Sequence, residues 1–330
     1  PLPAQYKPFS GENMKSWKTL MLAALVMTMP AVSSAAAYPT KPIQVVVPAA
    51  PGGDTDFNAR LIGQYAGKYL GKPLVIVNVS GAGGSTGTSR VKDAAPDGYS
   101  VLFFHGSTLL NQVFGVTKYG IADFDVACIP VIDDTNSFIV REDSRFKSMK
   151  DMADEMKAKD KSVIFAAETG GFVYITSLAF TSLVGADFNI VDVGSQSPKN
   201  AALMGGQIDS TSVPANGVKG FITSNKFRIL GMMSEQRHPA YPDAPTCREQ
   251  GFDIVMPKPY FYAFPKGTPK EVIDAFNASI RQALADPELQ AKFKENNLTA
   301  MTVEGEDALK YLQKMQADFQ RLADAAKAKK

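Results

Sequence analysis

The sequence predicts an α/β protein built as two doubly wound lobes, and three observations carry that prediction. Short β-branched apolar runs end in Gly- and Pro-rich loops that lead straight into helical patterns, the alternation that makes a sheet covered by helices. The same alternation restarts after about residue 138. At 330 residues the chain is long enough for roughly two cores of about 150 residues each.

Ile43–Val47, reading IQVVV, is a continuous apolar run of the kind buried on both faces of a parallel sheet. It enters the loop Pro48-Ala-Ala-Pro-Gly-Gly-Asp54, and a helix is expected over 55–70 with Asp54 or Thr55 as its cap. A second strand, 74–77, leads through Ser80-Gly-Ala-Gly-Gly-Ser85 into a helical stretch that reaches Ala95. Pro96-Asp-Gly98 is a turn, and a third strand over 99–104 ends at His105-Gly-Ser-Thr108. Residues 138–140 read as a strand leaving the first lobe. In the second lobe, a helix over 149–158 and a strand over 162–166 precede the loop Ala167-Glu-Thr-Gly-Gly171 and a helix over 174–183. A strand at 189–193, a helix at 198–204 and strands at 207–213 and 227–232 complete it. The run 260–264 returns the chain to the first lobe, which two amphipathic helices over 269–285 and 307–327 close.

Residues 1–13 read as upstream sequence outside the fold. From Met14, the basic Lys15 and Lys18, the apolar run 20–29 and the small residues 33–37 mark 14–37 as a secretory signal peptide cleaved near Ala37. That run falls short of the roughly 20 apolar residues needed to cross a bilayer, so a soluble exported protein is expected rather than one held by a retained anchor. The 35 basic and 33 acidic residues nearly cancel, which excludes the concentrated basic face of a nucleic-acid binder. The Lys-rich C-terminal tail reads as a solvated helix end. Cys128 and Cys247 are the only cysteines; export permits a disulfide between them, and the sequence leaves pairing open. Two Cys and the isolated His105 and His238 give no structural zinc set, so neither metal nor cofactor is expected.

In a doubly wound sheet, ligands sit beyond the carboxyl ends of the strands. The loops 48–54 and 167–171 each feed a helix N-terminus, where free N–H groups and the helix dipole favour a carboxylate or phosphate. The pairs Gly52-Gly53 and Gly170-Gly171 let a ligand approach the backbone closely, although a tight turn without a ligand would use the same residues. No catalytic constellation competes with this reading. Ser107 and His105 are too close in sequence to count as nucleophile and base, and no nucleophile elbow is present. The glycines of 81–84 lack the spacing of a dinucleotide fingerprint or a P-loop lysine.

Val47-Pro-Ala-Ala-Pro-Gly-Gly-Asp-Thr-Asp56, Gly81-Ala-Gly-Gly84 and Pro96-Asp-Gly-Tyr-Ser-Val-Leu102 together resemble the solute-binding proteins of tripartite tricarboxylate transporters. The resemblance continues through Met204-Gly-Gly-Gln-Ile-Asp209, Pro242-Asp-Ala-Pro-Thr246 and Pro265-Lys-Gly-Thr-Pro269, in the family's order over nearly the whole mature chain. It implies a type II periplasmic-binding-protein fold, two doubly wound α/β lobes joined by a two-strand hinge, with lobe 1 at 38–140 plus 262–330 and lobe 2 at 141–261. It also implies a non-catalytic receptor of the periplasm that delivers a small organic acid to membrane permease subunits; a monomer that takes a small organic acid or amino acid is expected. An exported sensor that presents its closed form to a receptor kinase is the alternative.

The family's two pincer loops hold a ligand carboxylate through backbone N–H groups, hydroxyls and waters. On the first loop this implicates Ala50, Gly53, Asp54, Thr55 and Asp56. On the second it implicates Ala167, Glu168, Thr169, Gly170, Gly171 and Phe172. Gly83, His105 and Ser107 are the candidates between them, and Ser195, Asn216 and Tyr260 those further along. Two of these depart from the family pattern: Asp54 replaces a usual Ser or Thr, and Glu168 replaces a small hydroxyl residue. A carboxylate beside a buried ligand carboxylate is unfavourable unless a cation or proton intervenes. Asp54 and Glu168 therefore turn away as a helix cap or into solvent, or meet an amine or hydroxyl of the ligand, or bind a bridging divalent cation. Phe172, Tyr174, Tyr260, Phe261 and Tyr262 pack the core and hinge or sandwich a ring-bearing ligand. Hinged capture is the expected mechanism, with crossings near 140–143 and 257–262.

Overall fold

The computed structural model describes residues 38–168 and 170–328. The upstream segment, the signal peptide and Thr169 lie outside the described residues. From Tyr38 the chain forms one unit. Its strands are β1 (Ile43–Val47), β2 (Leu74–Asn78), β3 (Ser100–His105), β4 (Phe124–Asp133), β5 (Asn136–Arg141), β6 (Ile164–Ala166), β7 (Asn189–Val191), β8 (Ser210–Pro214), β9 (Phe227–Met232), β10 (Lys258–Pro265) and β11 (Thr299–Glu304). Its helices are α1 (Asp54–Leu70), α2 (Ser85–Lys92), α3 (Ser107–Val113), α4 (Met149–Ala158), α5 (Phe172–Val184), α6 (Gln196–Met204), α7 (Lys219–Thr223), α8 (Lys270–Ala285), α9 (Pro287–Glu295) and α10 (Gly305–Ala328).

The strands form two sheets, ordered β11-β4-β10-β3-β1-β2 and β7-β6-β8-β5-β9. Each has a parallel trio, β3-β1-β2 in the first and β7-β6-β8 in the second, as strand–helix–strand units require. Each is extended by antiparallel strands that carry the chain between sheets. Alternation along the strands divides each core in two: Val45 and Phe103 bury one face of the first sheet, while Val46 and Leu102 bury the other. Phe138 and Ile139 part in the same way in the second sheet.

The antiparallel strands are where the structure departs from the sequence expectation. Residues 138–140 belong to β5, which pairs with β8 and β9 in the second sheet and does not leave the first. The strand that does leave is β4, ten residues that the sequence pattern hid. Pro130 interrupts its run, and both its pairings shift register beside that residue, so the missing N–H is asked for no ladder bond. The first crossing is therefore Asp134-Thr135. The second precedes Lys258, because all of Lys258–Pro265 lies in the first sheet. Strand β11 and helix α9 also went unforeseen.

Cys128 is buried in the first sheet's core and Cys247 in the second's, and both are free thiols. The open question of a disulfide closes on topology. The Ser148 cap of α4 accepts the Asp151 N–H, and Asp151 accepts the Ser148 N–H in return. Gly84, at φ +91°, shows why the 80–85 loop is glycine-rich: a Cβ there would lie 2.4 Å from the Phe104 ring.

Asp133 ends β4 at the first crossing, fully buried, and its Oδ1 accepts the Thr135 N–H at 2.9 Å. Burial pushes its carboxyl up to about 6, with Asp54 adding to the rise and the Thr135 bonds and Lys258 opposing it. The folded state thus holds a proton that the unfolded chain releases near pH 4, so this contribution to stability is present at low pH and lost as pH rises through about 6. Asp133→Asn keeps the Oδ1 acceptor and cannot ionise. Its stability relative to the wild type should rise by up to roughly 3 kcal/mol between about pH 4 and pH 7.5. Urea unfolding at the two pH values checks this, and an equal difference at both would refute it.

Candidate functional site

Between the sheets lies a cavity of about 240 Å³, onto which helices from both sides open their N-termini. Gly53 and Asp54 start α1, Gly171 and Phe172 start α5, and Ser195 and Gln196 start α6. Each start leaves N–H groups unused by its own helix. Several of these bonds run between the lobes. Ala50 N–H donates to Ser195 Oγ at 3.2 Å, Phe172 N–H to Ser107 Oγ at 2.9 Å, and Asp54 N–H to Gln196 Oε1 at 2.5 Å. Ser197 Oγ donates to the Pro51 carbonyl at 3.2 Å. The lobes are closed on one another.

Asp54 does not cap its helix. The N-cap is Gly53, which offers no side-chain acceptor, and Asp54 points inward, 8% exposed. Its Oδ2 accepts hydrogen bonds from Lys258 Nζ and Tyr260 Oη. Burial alone would raise its carboxyl, but the Lys258 charge and the hydrogen bonds from Lys258 and Tyr260 outweigh that and hold it well below the usual range. His105 is pushed the other way, by burial first and then by Lys258, so it is a neutral imidazole whose Nδ1 accepts the Ser107 N–H. Glu168 is paired as well: Lys199 Nζ donates to its Oε2 at 2.8 Å, with the lysine side chain only 3% exposed. Each carboxylate thus arrives with its own lysine. Among the described residues no three His, Cys, Asp or Glu side chains are grouped to hold a metal ion.

Of the residues singled out in the sequence, Ala50, Gly53, Asp54 and Thr55 line the cavity from the first loop. Gly83, His105 and Ser107 line it from the neighbouring loops, and Glu168, Gly171, Phe172 and Ser195 from the second lobe. Five others do not line it. Asp56 turns back to brace its own loop through Gly52 N–H, Arg60 and Asn78. Ala167 is buried beneath the second loop, its N–H bonded to the Val191 carbonyl. Gly170 packs toward Asn111 and Val116. Tyr260 stands behind Asp54, wholly buried. Asn216 faces a second cavity of about 150 Å³ beside Asp133, and its side chain bonds to Asn297. Phe261 and Tyr262 fill opposite faces of the first core, and Tyr174 meets Phe114 edge-on, so the cavity's aromatic walls are Phe104 and Phe172.

The residues that sequence reasoning missed are Lys258, Lys199 and Gln196, with Asn136 and Asp192 beside them. Lys199 sits in the run Ser-Pro-Lys-Asn, which reads as an ordinary polar helix start, and Lys258 between two prolines in the stretch expected to be a hinge crossing. The available signal was indirect: two carboxylates on anion-gripping loops demand cations from somewhere.

Two sheets linked by two crossings, with helix N-termini of both converging on one cavity, define a two-lobed solute-binding protein. The sequence model of the TctC family, the tripartite tricarboxylate transporter family receptors, matches residues 58–327. The chain belongs to this family, which is one of periplasmic solute receptors and not of enzymes. It is 30% identical to BugT of Bordetella pertussis over 274 residues, 81% of this chain and 83% of that one. The structure of the periplasmic binding protein BugD superposes with a TM-score of 0.82 at 29% identity, covering 88% of this chain and 98% of the other. MatC from Rhodopseudomonas palustris, solved with bound malate, gives 0.79 at 26% identity over 88% of this chain and all of its own.

Proposed function

We propose that this protein captures a small organic acid in the cleft and delivers it, as a monomer, to the permease subunits of a tripartite tricarboxylate transporter. The observation that carries the reading is the convergence of the α1 and α5 N-termini and two buried lysines on one closed cavity. Backbone N–H groups and ammonium groups are the donors that a carboxylate needs. The malate held by MatC supports a carboxylate as the group that this cleft recognises. At about 240 Å³ the cavity lies below the roughly 300–1,000 Å³ of drug-sized sites, so its occupant is small. Phe104 and Phe172 leave a planar acid compatible with it. Residues 14–37 supply the export signal in this reading, and the crossings at 134–135 and just before Lys258 supply the hinge.

A thermal-shift panel of organic, amino and aromatic acids tests capture. A ligand at 100 times its Kd adds about 2.7 kcal/mol to native stability, enough to move the melting transition by several degrees. Absence of a shift across the panel would count against capture of an organic acid. Copurification of the liganded protein with permease subunits tests delivery, and capture of a receptor kinase instead would replace it.

A further inference from the structure

The charged groups of the cleft form a pattern more specific than a carboxylate trap. Asp54 with Lys258 belongs to the first lobe, and Glu168 with Lys199 to the second. All four line one cavity and all are largely buried, with side-chain exposures of 7, 8, 15 and 3% respectively. Their charges cancel within each pair, and Asp192 at the exposed rim adds only negative charge. The wall therefore offers no net positive charge to a dianion.

The two carboxylates differ in what remains available on them. Asp54 is occupied on both oxygens: Oδ2 accepts from Lys258 and Tyr260, and Oδ1 accepts the Thr55 hydroxyl at 3.3 Å. Glu168 uses only Oε2, and its Oε1 is bonded to none of the described residues. On the donor side, Gln196 uses its Oε1 to hold the Asp54 N–H, and its Nε2 lies against Gly217, a residue of the second cavity. Lys258 Nζ donates to Asp54, with the rings of Tyr260 and Phe172 at 5.4 and 5.8 Å, and has N–H groups to spare.

Resting on the reading that this cleft is the ligand site, we propose that the natural ligand carries an amine as well as a carboxylate. The amine meets the open oxygen of Glu168, and the carboxylate meets the Lys258 ammonium and the helix N-termini. A plain dicarboxylate would press its second carboxylate toward Glu168, whose side chain is only 15% exposed. An ammonium group there makes a charge-assisted hydrogen bond instead.

The test is isothermal titration of the full-length mature protein with acids matched in pairs that differ only in the amine: succinate and aspartate, glutarate and glutamate, 3-phenylpropionate and phenylalanine, propionate and alanine. In the pair that fits the cavity, the amine-bearing member should bind roughly 10–100-fold more tightly, the range expected of one charge-assisted hydrogen bond. E168Q should erase that preference. Because it also strips Lys199 of its buried partner, the charge-balanced double variant E168Q/K199M is titrated alongside, and it too should bind both members of the pair alike. Equal or tighter binding of the amine-free member in every pair that binds would overturn this inference while leaving the organic-acid reading intact. A preference that survives in both variants would overturn the assignment to Glu168. Failure of all eight compounds to bind would remove the organic-acid reading itself, and this inference with it.

Discussion

Lys258→Met should destabilise the unliganded protein by about 3–5 kcal/mol, lowering its melting temperature by on the order of 10 °C. The magnitude follows from what stays behind. Asp54 is buried under the first loop, and Lys258 is its charge partner at hydrogen-bond distance, with Tyr260 as the second donor. Removing the ammonium leaves a carboxylate in a site that strongly disfavours it, so Asp54 must ionise at a cost or take up a proton. The folded-state pKa of Asp54 then moves above its unfolded value, so the deficit of the variant should shrink as pH falls toward 4. Adding Asp54→Asn removes the stranded charge, and the double variant D54N/K258M should recover most of the lost stability, as replacements of whole buried ion pairs commonly do. Thermal unfolding of the three proteins decides the matter. A single variant as stable as the wild type, or a double variant no better than the single, would show that the pair is not the electrostatic unit described.

Gly53→Val should weaken binding of the best acid in the panel by at least about 100-fold, close to 3 kcal/mol, with little change in the stability of the unliganded protein. Gly53 borders the cleft in the first lobe, and a Cβ built on it would lie 3.5 Å from both Cβ and Oε1 of Gln196 in the second. That is ordinary contact, so Gly53→Ala should be tolerated. The branched carbons of valine would extend into the Gln196 side chain. That side chain already packs into the space that Gly217 leaves by lacking a Cβ, an atom that would lie 2.4 Å from its Nε2. Gln196 is thus wedged between two glycines, and its Oε1 supplies the acceptor that the α1 N-terminus lacks on its own lobe. Valine at 53 should therefore prop the lobes apart, raising the free energy of the closed state that ligand must stabilise. Small-angle scattering with saturating acid would then report the open dimensions for G53V and the closed ones for G53A. Closed dimensions for both would exclude the wedge.

Much of this architecture is legible because local chemistry dictates it. The β-branched run at 43–47 had to be a strand buried on both faces, and the Gly-Gly that follows had to be a tight approach to a helix start. The same logic located the second loop at 167–171, and eleven of the candidate residues it named line the cavity. It failed at β4, where Pro130 broke the apolar pattern and only the irregular pairing with two neighbours made the strand possible. It failed again at the first crossing, because residues 138–140 are as apolar in one sheet as they would be in the other, and periodicity does not say which sheet a strand joins.

The sequence by itself determined the class of this protein: alternating strands and helices, glycine-rich loops at helix starts, and a run of motifs shared with one receptor family. It also exposed the anomaly of two carboxylates on loops built to grip an anion. Only the tertiary structure resolved that anomaly, since the partners of Asp54 and Glu168 lie 204 and 31 residues away in the chain. Charge pairing inside a protein depends on distance and burial in three dimensions, and neither is encoded in local periodicity. A lysine between two prolines and a lysine at an ordinary helix start became cleft residues when the fold brought them there.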